Sequence, residues 1–133
     1  MPITFLRNHD DGYLEIKYKG QISDSELLNA YKSYFGSDDA IPVLNGLTDL
    51  SEADFFNLSS DAIQELADYI IYSYKKSGIT SLKTAIYAPN LLEFGLSRMY
   101  ATISYETPQD IEIFKDREEA IQWLRQANIS TSS

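Results

Sequence analysis

Residues 82–103 constrain the fold of this chain more than any other stretch, because they read as a strand that leads directly into a helix. Apolar and β-branched side chains alternate with other residues from Leu82 to Ala88, and a period of two is typical of a β-strand. Pro89 has no amide hydrogen to donate to a neighbouring strand, so it ends the pattern. We therefore expect a largely buried strand that stops at Pro89.

The segment after Pro89 has the start signal and the spacing of an amphipathic helix. Asn90 is followed three residues later by Glu93, which is the spacing of a capping box. One apolar stripe then repeats at helical spacing and consists of Leu92, Leu96, Met99, Tyr100 and Ile103. The pattern predicts that Leu96 faces the sheet and that Ser97, one position round the helix, faces outward.

The other elements repeat this alternation of strand and helix. Strands are predicted over residues 3–8, 13–19, 42–50 and 111–114. Helices are predicted after the cap residues Ser23 and Asp116 and over residues 60–76, with Gly36 and Gly78 as stops. Residues 51–58 have no regular pattern, although Ser51 and Asp54 are spaced to cap a single helical turn.

The element order ββαβαβαβα predicts an α/β fold. Its sheet is expected to be mostly parallel, with an antiparallel hairpin at the N-terminal edge and right-handed crossovers. Helices are expected mainly on one face, because several strand positions carry charge and are interpreted as outward: Glu15, Lys17, Lys83 and Glu112. We expect one domain over residues 1–127 and a frayed tail over 128–133.

Composition excludes several classes of function. The chain has no cysteine, so it has neither disulfides nor a thiolate metal site, and a reducing cytosol suits it. No apolar run is long enough to span a bilayer, and we expect a cytoplasmic, soluble protein. The net charge of −9 repels nucleic acid, and the adjacent Lys75 and Lys76 are explained by the end of a helix.

No pattern of catalytic or cofactor-binding residues stands out. The six glycines are too far apart to form a phosphate-binding loop, so no nucleotide cofactor is expected. His9, Asp10 and Asp11 have the residue types of a metal site, but a tight turn needs the same types and is the preferred interpretation. With a single histidine and no cysteine, we expect neither a nucleophilic triad nor an enzyme.

Three segments together resemble a known family: TAIYAPNLLEFGLSRMY, LTDLS at the end of the third strand, and EEAIQWL near the C-terminus. They look like small, uncharacterised, STAS-like bacterial proteins, which are related in fold to anti-anti-sigma factors and more distantly to CRAL-TRIO lipid-binding domains. The resemblance implies a β/α superhelix and a phosphorylatable serine after the third strand. Ser51, Ser59 and Ser60 are the candidates here, although the family's serine–glycine pair is missing and Ser59 and Ser60 also suit a helix cap.

Two sets of residues are candidates for a ligand or partner surface. Asp49 lies at the carboxyl end of a strand, where open α/β sheets bind ligands, and Arg98 on the following unit is expected within reach. The alternative is that Asp49 only braces the next loop and pairs with Arg98. Phe55 and Phe56 either fill the core or line an apolar mouth together with Leu91 and Phe94.

Three hypotheses for function follow. The preferred one is a non-enzymatic binding or regulatory module that works through residues 49–58 and the start of the helix at Asn90, with a protein partner or as a homodimer. The second is a carrier of a lipid or other apolar small molecule, which needs a cavity of about 300 Å³ near Phe55 and Phe56. The third is an enzyme that combines a carboxylate, Arg98 and Tyr87 around a cleft.

Overall fold

The computed structural model describes residues 2–8, 12–36, 45–78, 81–105 and 107–126. Within these ranges the strands are β1 (Ile3–Asn8), β2 (Tyr13–Gln21), β3 (Asn45–Asp54), β4 (Leu82–Tyr87) and β5 (Gln109–Phe114), and the helices are α1 (Asp24–Phe35), α2 (Ser60–Ser77), α3 (Leu91–Ile103) and α4 (Arg117–Arg125). The predicted order ββαβαβαβα is confirmed. The predictions for His9, Asp10 and Asp11, for residues 42–44, and for the tail after residue 126 lie outside the described residues.

The five strands form one sheet in the order β1-β2-β3-β4-β5. The edge strand β1 pairs antiparallel with β2, and every later pair is parallel. The predicted topology is therefore confirmed. Because β3 lies in the middle and parallel strands share their direction, the ends of β2, β3, β4 and β5 meet along one edge.

Two hydrophobic clusters cover the two faces of this sheet. Helices α1, α2 and α3 pack on the side chains of one face, represented by Ile16, Leu50 and Ile86. Helix α4 packs on the opposite face, against Leu47 and Ala85. Helices thus lie mainly on one face, as predicted. No helix in the described part of the chain is long and apolar enough to cross a membrane.

Lys83 was interpreted as an outward residue, and this prediction is wrong. Its side chain is buried under α4, where Nζ donates hydrogen bonds to the carbonyl oxygens of Trp123 at 2.9 Å and Gln126 at 3.1 Å. Nζ also lies 4.7 Å from the centroid of the Trp123 ring, within the range of a cation–π interaction. The last carbonyl oxygens of a helix lack hydrogen-bond donors within the helix, and Lys83 supplies such a donor from the sheet.

Strand β3 continues four residues beyond the predicted end at Leu50. Ser51 and Asp54 therefore lie in a strand, and the helical turn that their spacing suggested is not formed. The extension is possible because β2 is also long enough to pair with it, up to the contact of Gln21 with Asp54. The pairing register of β2 with β3 shifts between Lys17 and Lys19. This irregularity lies beside Leu50, where the predicted strand ended.

Of the helix starts at Ser23, Asn90 and Asp116, two agree with prediction and one does not. Ser23 and Glu26 form the complete capping box of α1. Asn90 precedes α3 but makes no side-chain hydrogen bond to its amides, so the predicted capping box at Asn90 is wrong. Glu93 does not return to Asn90 because its carboxylate accepts a hydrogen bond of 2.9 Å from the amide of Phe55. The third start, Asp116 before α4, accepts from the amide of Glu119 as predicted.

Helix α3 is rotated from the predicted position. Leu96 does pack against the core, although it is only partly buried. Ser97, which was predicted to face outward, is 4% exposed, and Glu93 is 5% exposed. The Ser97 hydroxyl donates a 2.7 Å hydrogen bond to the Glu93 carbonyl, and this bond within the helix lets a polar residue be buried there.

Two glycine-to-alanine substitutions should change stability in opposite directions. Gly78 ends α2 with a φ of 74°, a left-handed conformation that strains any residue with a Cβ, so Gly78→Ala should cost about 1 kcal/mol. Gly95 lies in α3 with open space where a Cβ would go, so Gly95→Ala should stabilise by about 0.5–1 kcal/mol. Urea unfolding measures both. A stabilised Gly78→Ala variant would contradict the assigned end of α2.

Candidate functional site

Asp49 lies in the central strand and is 3% exposed. Its side chain points to the face that α4 covers, as the alternation along the strand requires. One carboxylate oxygen, Oδ1, accepts hydrogen bonds from the amide of Ser51 at 2.9 Å and from the hydroxyl of Ser51 at 2.7 Å. Asp49 and Ser51 are thus joined by two hydrogen bonds within β3.

Arg117, the first residue of α4, completes the environment of this carboxylate. Its Nη1 lies 2.8 Å from Oδ2 of Asp49, and its Nη2 lies 3.1 Å from Oε1 of Glu15 on β2. The predicted pairing of Asp49 with Arg98 is therefore wrong. Arg98 is exposed on α3, which packs on the other face of the sheet. We refer to Glu15, Asp49, Ser51 and Arg117 as the Arg117 cluster.

The hydrogen bonds of the Arg117 cluster favour a bracing role over ligand binding. Both oxygens of Asp49 are occupied, one by Ser51 and the other by Arg117. The hydrogen bond to Glu15 is the largest cause that raises the pKa of Arg117, so the guanidinium stays charged. A buried carboxylate with three charge-assisted or polar contacts is already compensated, which agrees with the bracing alternative for Asp49.

The neighbouring phenylalanines at the end of β3 have opposite environments. Phe55 is 5% exposed and packs edge to face on Tyr18, with the ring centroids 5.7 Å apart. Phe56 is 80% exposed, as is Leu91 at 85%. The sequence left two alternatives for this pair, and the two residues differ in the outcome. Phe55 fills the core, and Phe56 faces solvent.

An apolar surface surrounds the start of α3. We call it the loop–helix surface, and its members are Phe56, Leu91, Leu92 and Phe94. Leu92 is 45% exposed, and Phe94 is half-buried beneath Lys115, whose Nζ lies 4.9 Å from the ring centroid. The surface includes Phe56, Leu91 and Phe94 from the predicted set.

Two hydrogen bonds fix the parts of this surface to each other. The buried carboxylate of Glu93 accepts from the amide of Phe55, which holds residues 55–58 against the first turn of α3. On the other side, the amide nitrogen of the Asn90 side chain lies 3.3 Å from the carbonyl oxygen of Ser51. Phe56 and Leu91 therefore project from backbone that is already anchored.

The three candidate serines have different partners. The hydroxyl of Ser51 donates to Asp49, as described above. The hydroxyl of Ser59 caps α2 by accepting from the amide of Ala62 at 3.1 Å, and it donates to Asp24 at 2.7 Å. Ser60, the first residue of α2, is exposed. The cap interpretation holds for Ser59, and phosphorylation of any of the three remains a prediction.

Sequence reasoning did not find Arg117 or Glu93. Arg117 follows the Asp116 cap, and no local pattern in the sequence marks it as a site residue. The signal that could have pointed to it is the position itself, because the start of a helix after a parallel strand lies at the carboxyl edge of the sheet. Glu93 was predicted to complete a capping box with Asn90. The two residues have the sequence spacing of a capping box, but that spacing does not show whether its hydrogen bonds form.

Comparison with known proteins establishes the fold and no more. No protein-family model matches this sequence, and no curated protein matches it. The chain is similar to the crystal structure of an uncharacterised protein of the DUF3478 family, with a SpoIIAA-like fold, from Shewanella loihica PV-4. The TM-score is 0.56 at 23% sequence identity, over 92% of this chain and 91% of the other. The chain therefore has a SpoIIAA-like, STAS-type fold, and this part of the predicted resemblance is confirmed.

Removal of the Arg117 side chain should destabilise the protein more than removal of its counterpart on α3. Arg117→Met leaves the buried Asp49 carboxylate without its cation, and because Arg117 is itself 37% exposed we expect a cost of about 1–3 kcal/mol. Arg98→Met should change stability by less than about 0.5 kcal/mol. Urea midpoints of both variants test this. An equal effect would mean that the Arg117 cluster does not brace α4.

Ser59→Ala should cost about 1–2 kcal/mol, because it removes the α2 cap and a hydrogen bond to Asp24, whereas Ser60→Ala should cost under about 0.5 kcal/mol.

The amide and the hydroxyl of Ser59 lower the pKa of Asp24 below its usual value of 3.8. This contribution to stability is present above that value and is lost as the pH falls through the lower, folded pKa. Urea unfolding at pH 7 and in acid should show a smaller acid loss for Ser59→Ala, and an unchanged loss would contradict the Asp24 contact.

Proposed function

We propose that this protein is a non-enzymatic binding module that recognises a protein partner through the loop–helix surface. The observation that carries the proposal is the exposure of Phe56 and Leu91, at 80% and 85%, on backbone that is held in place by Glu93 and Asn90. Large apolar side chains that are scattered singly on a surface need no explanation, but Phe56 and Leu91 lie on two segments that the hydrogen bond from the Phe55 amide to Glu93 joins.

The rigidity of this surface supports binding. A partner that covers Phe56 and Leu91 gains the transfer free energy of both side chains, about 1.5–3 kcal/mol each if they are fully buried. Little of this gain is lost to ordering, because the segments that carry them are already fixed by hydrogen bonds to Glu93 and from Asn90. Interfaces commonly concentrate their affinity in a few such aromatic and aliphatic anchors.

The charge of the chain indicates the character of the partner. A net charge of −9 produces a negative potential that attracts positively charged proteins and repels acidic ones. The partner that fits is a protein with an apolar pocket for Phe56 and a basic rim. This same potential makes association faster at low salt.

The structure does not support the second hypothesis, a carrier of an apolar small molecule, because the cavity beside Phe55 is smaller than that hypothesis requires. That cavity has a volume of about 100 Å³, below the 300 Å³ or so of ordinary ligand pockets. Its size does not favour a lipid.

Among the three candidate serines, Ser60 best fits a regulatory role in the proposed module. Its side chain is exposed, and a phosphate at the first position of α2 would lie at the positive end of the helix dipole. The hydroxyls of Ser51 and Ser59 already bind Asp49 and Asp24, and a phosphate on either would meet a carboxylate.

The proposal is tested by capture of partners from cell extract on the immobilised protein, with native mass spectrometry of what is retained. We expect a protein partner to be retained by the natural chain and its affinity to fall at least about tenfold in Phe56→Ala. Tyr72→Ala is the matched control, because Tyr72 is an aromatic residue that is 60% exposed on α2 and outside the loop–helix surface.

Two results would count against the proposal. Retention of no protein at low or moderate salt would remove its support. Equal weakening by Phe56→Ala and Tyr72→Ala would show that the partner binds elsewhere on the molecule.

A further inference from the structure

Strand β1 forms one edge of the sheet, because it pairs with β2 on one side and no described strand pairs with its other side. An edge strand can pair with a further strand through its backbone, and proteins commonly protect such edges with charged residues. The opposite edge strand, β5, carries the exposed carboxylates of Asp110 and Glu112. Strand β1 has the sequence ITFLRN, with a single charge on Arg7. Of the two edges, β1 is therefore the better suited to accept a strand.

The pairing of β1 with β2 shows which backbone groups of β1 point away from the sheet. The carbonyl oxygen of Pro2 accepts a 2.8 Å hydrogen bond from the amide of Lys19. In an antiparallel pair, the backbone groups of successive residues point alternately toward the neighbouring strand and away from it. The even-numbered residues of β1 therefore direct their backbone groups toward β2. The odd-numbered residues direct theirs outward, and these are Ile3, Phe5 and Arg7.

A groove of about 510 Å³ lies beside β1, between the strand and α1. Ile3 and Phe5 line it from the strand, and Glu26, Ala30 and Tyr34 line it from the helix. The ring of Phe5 stacks on that of Tyr34 with the centroids 4.3 Å apart, so the odd-numbered side chains of β1 lie on the α1 face. A strand added to β1 places every second side chain on this face, in the groove.

The groove is acidic at the end where β1 begins. The end of β2 lies beside Pro2, through the hydrogen bond from Lys19, and α1 starts shortly after β2 ends. Glu26, an exposed residue in the first turn of α1, is therefore closer to Ile3 than to Arg7. A carboxylate and a cation thus lie toward opposite ends of the same edge.

We propose that β1 is an interface with a second copy of this chain, in which the two β1 strands pair antiparallel about a two-fold axis at Phe5. In this register Phe5 lies opposite Phe5 of the second copy, and Ile3 lies opposite Arg7 of the second copy, so that the outward backbone groups meet. Each Arg7 then enters the acidic end of the other copy's groove, near Glu26. Because the axis brings each cation to a carboxylate, the edge is complementary to itself.

The dimer interface is separate from the loop–helix surface, because no member of that surface lines the groove. The proposal therefore does not depend on the protein partner proposed above. A single strand and one groove make a small interface, which is typical of a weak dimer. The net charge of −9 on each copy also opposes association, and salt screens this repulsion.

Sedimentation-velocity ultracentrifugation of the full chain, from about 5 to about 500 µM in about 150 mM salt, should show a monomer–dimer equilibrium. Leu6 is 64% exposed on the other face of β1 and lies diagonally across the axis from Leu6 of the second copy. Leu6→Lys brings two like charges together there and should weaken the dimer at least about tenfold. Leu91→Lys is the matched control, because Leu91 is 85% exposed on the loop–helix surface, and it should leave the dimer unchanged.

A charge swap tests the register of the two strands. Arg7→Glu and Glu26→Arg each place like charges at the ends of the paired strands, so each should weaken the dimer about three- to tenfold. The double variant restores opposite charges and should regain the natural affinity to within about twofold.

Amide hydrogen exchange, followed by NMR in dilute and concentrated samples, tests the backbone pairing. Exchange of the outward Phe5 amide should slow about tenfold once about nine-tenths of the chain is dimeric. The amides of Thr4 and Leu6, which point toward β2, should change little.

The inference is overturned if the pure chain stays monomeric up to about 500 µM, including the case in which the Phe5 amide becomes protected in cell extract alone, since a different protein would then occupy the edge. It is also overturned if Leu91→Lys dissociates the dimer and Leu6→Lys does not. A double charge variant that dimerises no better than the single variants would equally reject the proposed register.

Discussion

The position of β3 in the middle of the sheet is the constraint on which the rest of the structure depends. Its backbone pairs with β2 on one side, and residues 46–49 pair with β4 on the other, so this part of the strand has no free edge. Its side chains are covered on both faces, because Leu47 lies under α4 and Leu50 lies under the other helices. A polar residue in such a strand must find a partner within the protein, and Asp49 is that residue.

The need to compensate Asp49 determines how α4 is held. Within the described residues α4 is the sole helix on its face, and it spans the nine residues Arg117–Arg125. Its first residue, Arg117, binds Asp49 and Glu15, and the carbonyls at its last turn accept from Lys83. The apolar contacts of Ala120, Ile121 and Leu124 lie between these two polar anchors. A short helix is thus fixed at both ends by charges that the sheet supplies.

The sequence predicted the elements well because their signals are local. The alternation in β4, the capping box at Ser23 and the stop at Gly78 each depend on residues a few positions apart, and all three are found in the structure. The partner of Asp49 could not be found in this way, because Arg117 lies 68 positions further along the chain. Choosing between Arg98 and Arg117 requires knowing which face of the sheet each helix covers. Helical spacing alone does not contain that information.

The errors at α3 have a related cause. Hydrophobic periodicity places the apolar side of a helix toward the core, but α3 uses Glu93 and Ser97 in buried positions and leaves Leu91 and Leu92 exposed. The carboxylate of Glu93 is buried because it serves the amide of Phe55, 38 residues away, at the point where β3 has just ended. Glu93 is buried because its carboxylate is the hydrogen-bond acceptor of a buried amide. The orientation of α3 that buries Glu93 leaves Leu91 and Leu92 facing solvent.

Phe55 and Phe56 connect the interior of the protein with its surface through a single peptide bond. Phe55 lies in the hydrophobic core and packs on Tyr18, whereas Phe56 belongs to the loop–helix surface. Because displacing a buried aromatic side chain leaves a void that costs several kcal/mol, the position of Phe56 is set largely by the packing of Phe55. The packing of Phe55 in the core therefore keeps the side chain of Phe56 exposed to solvent.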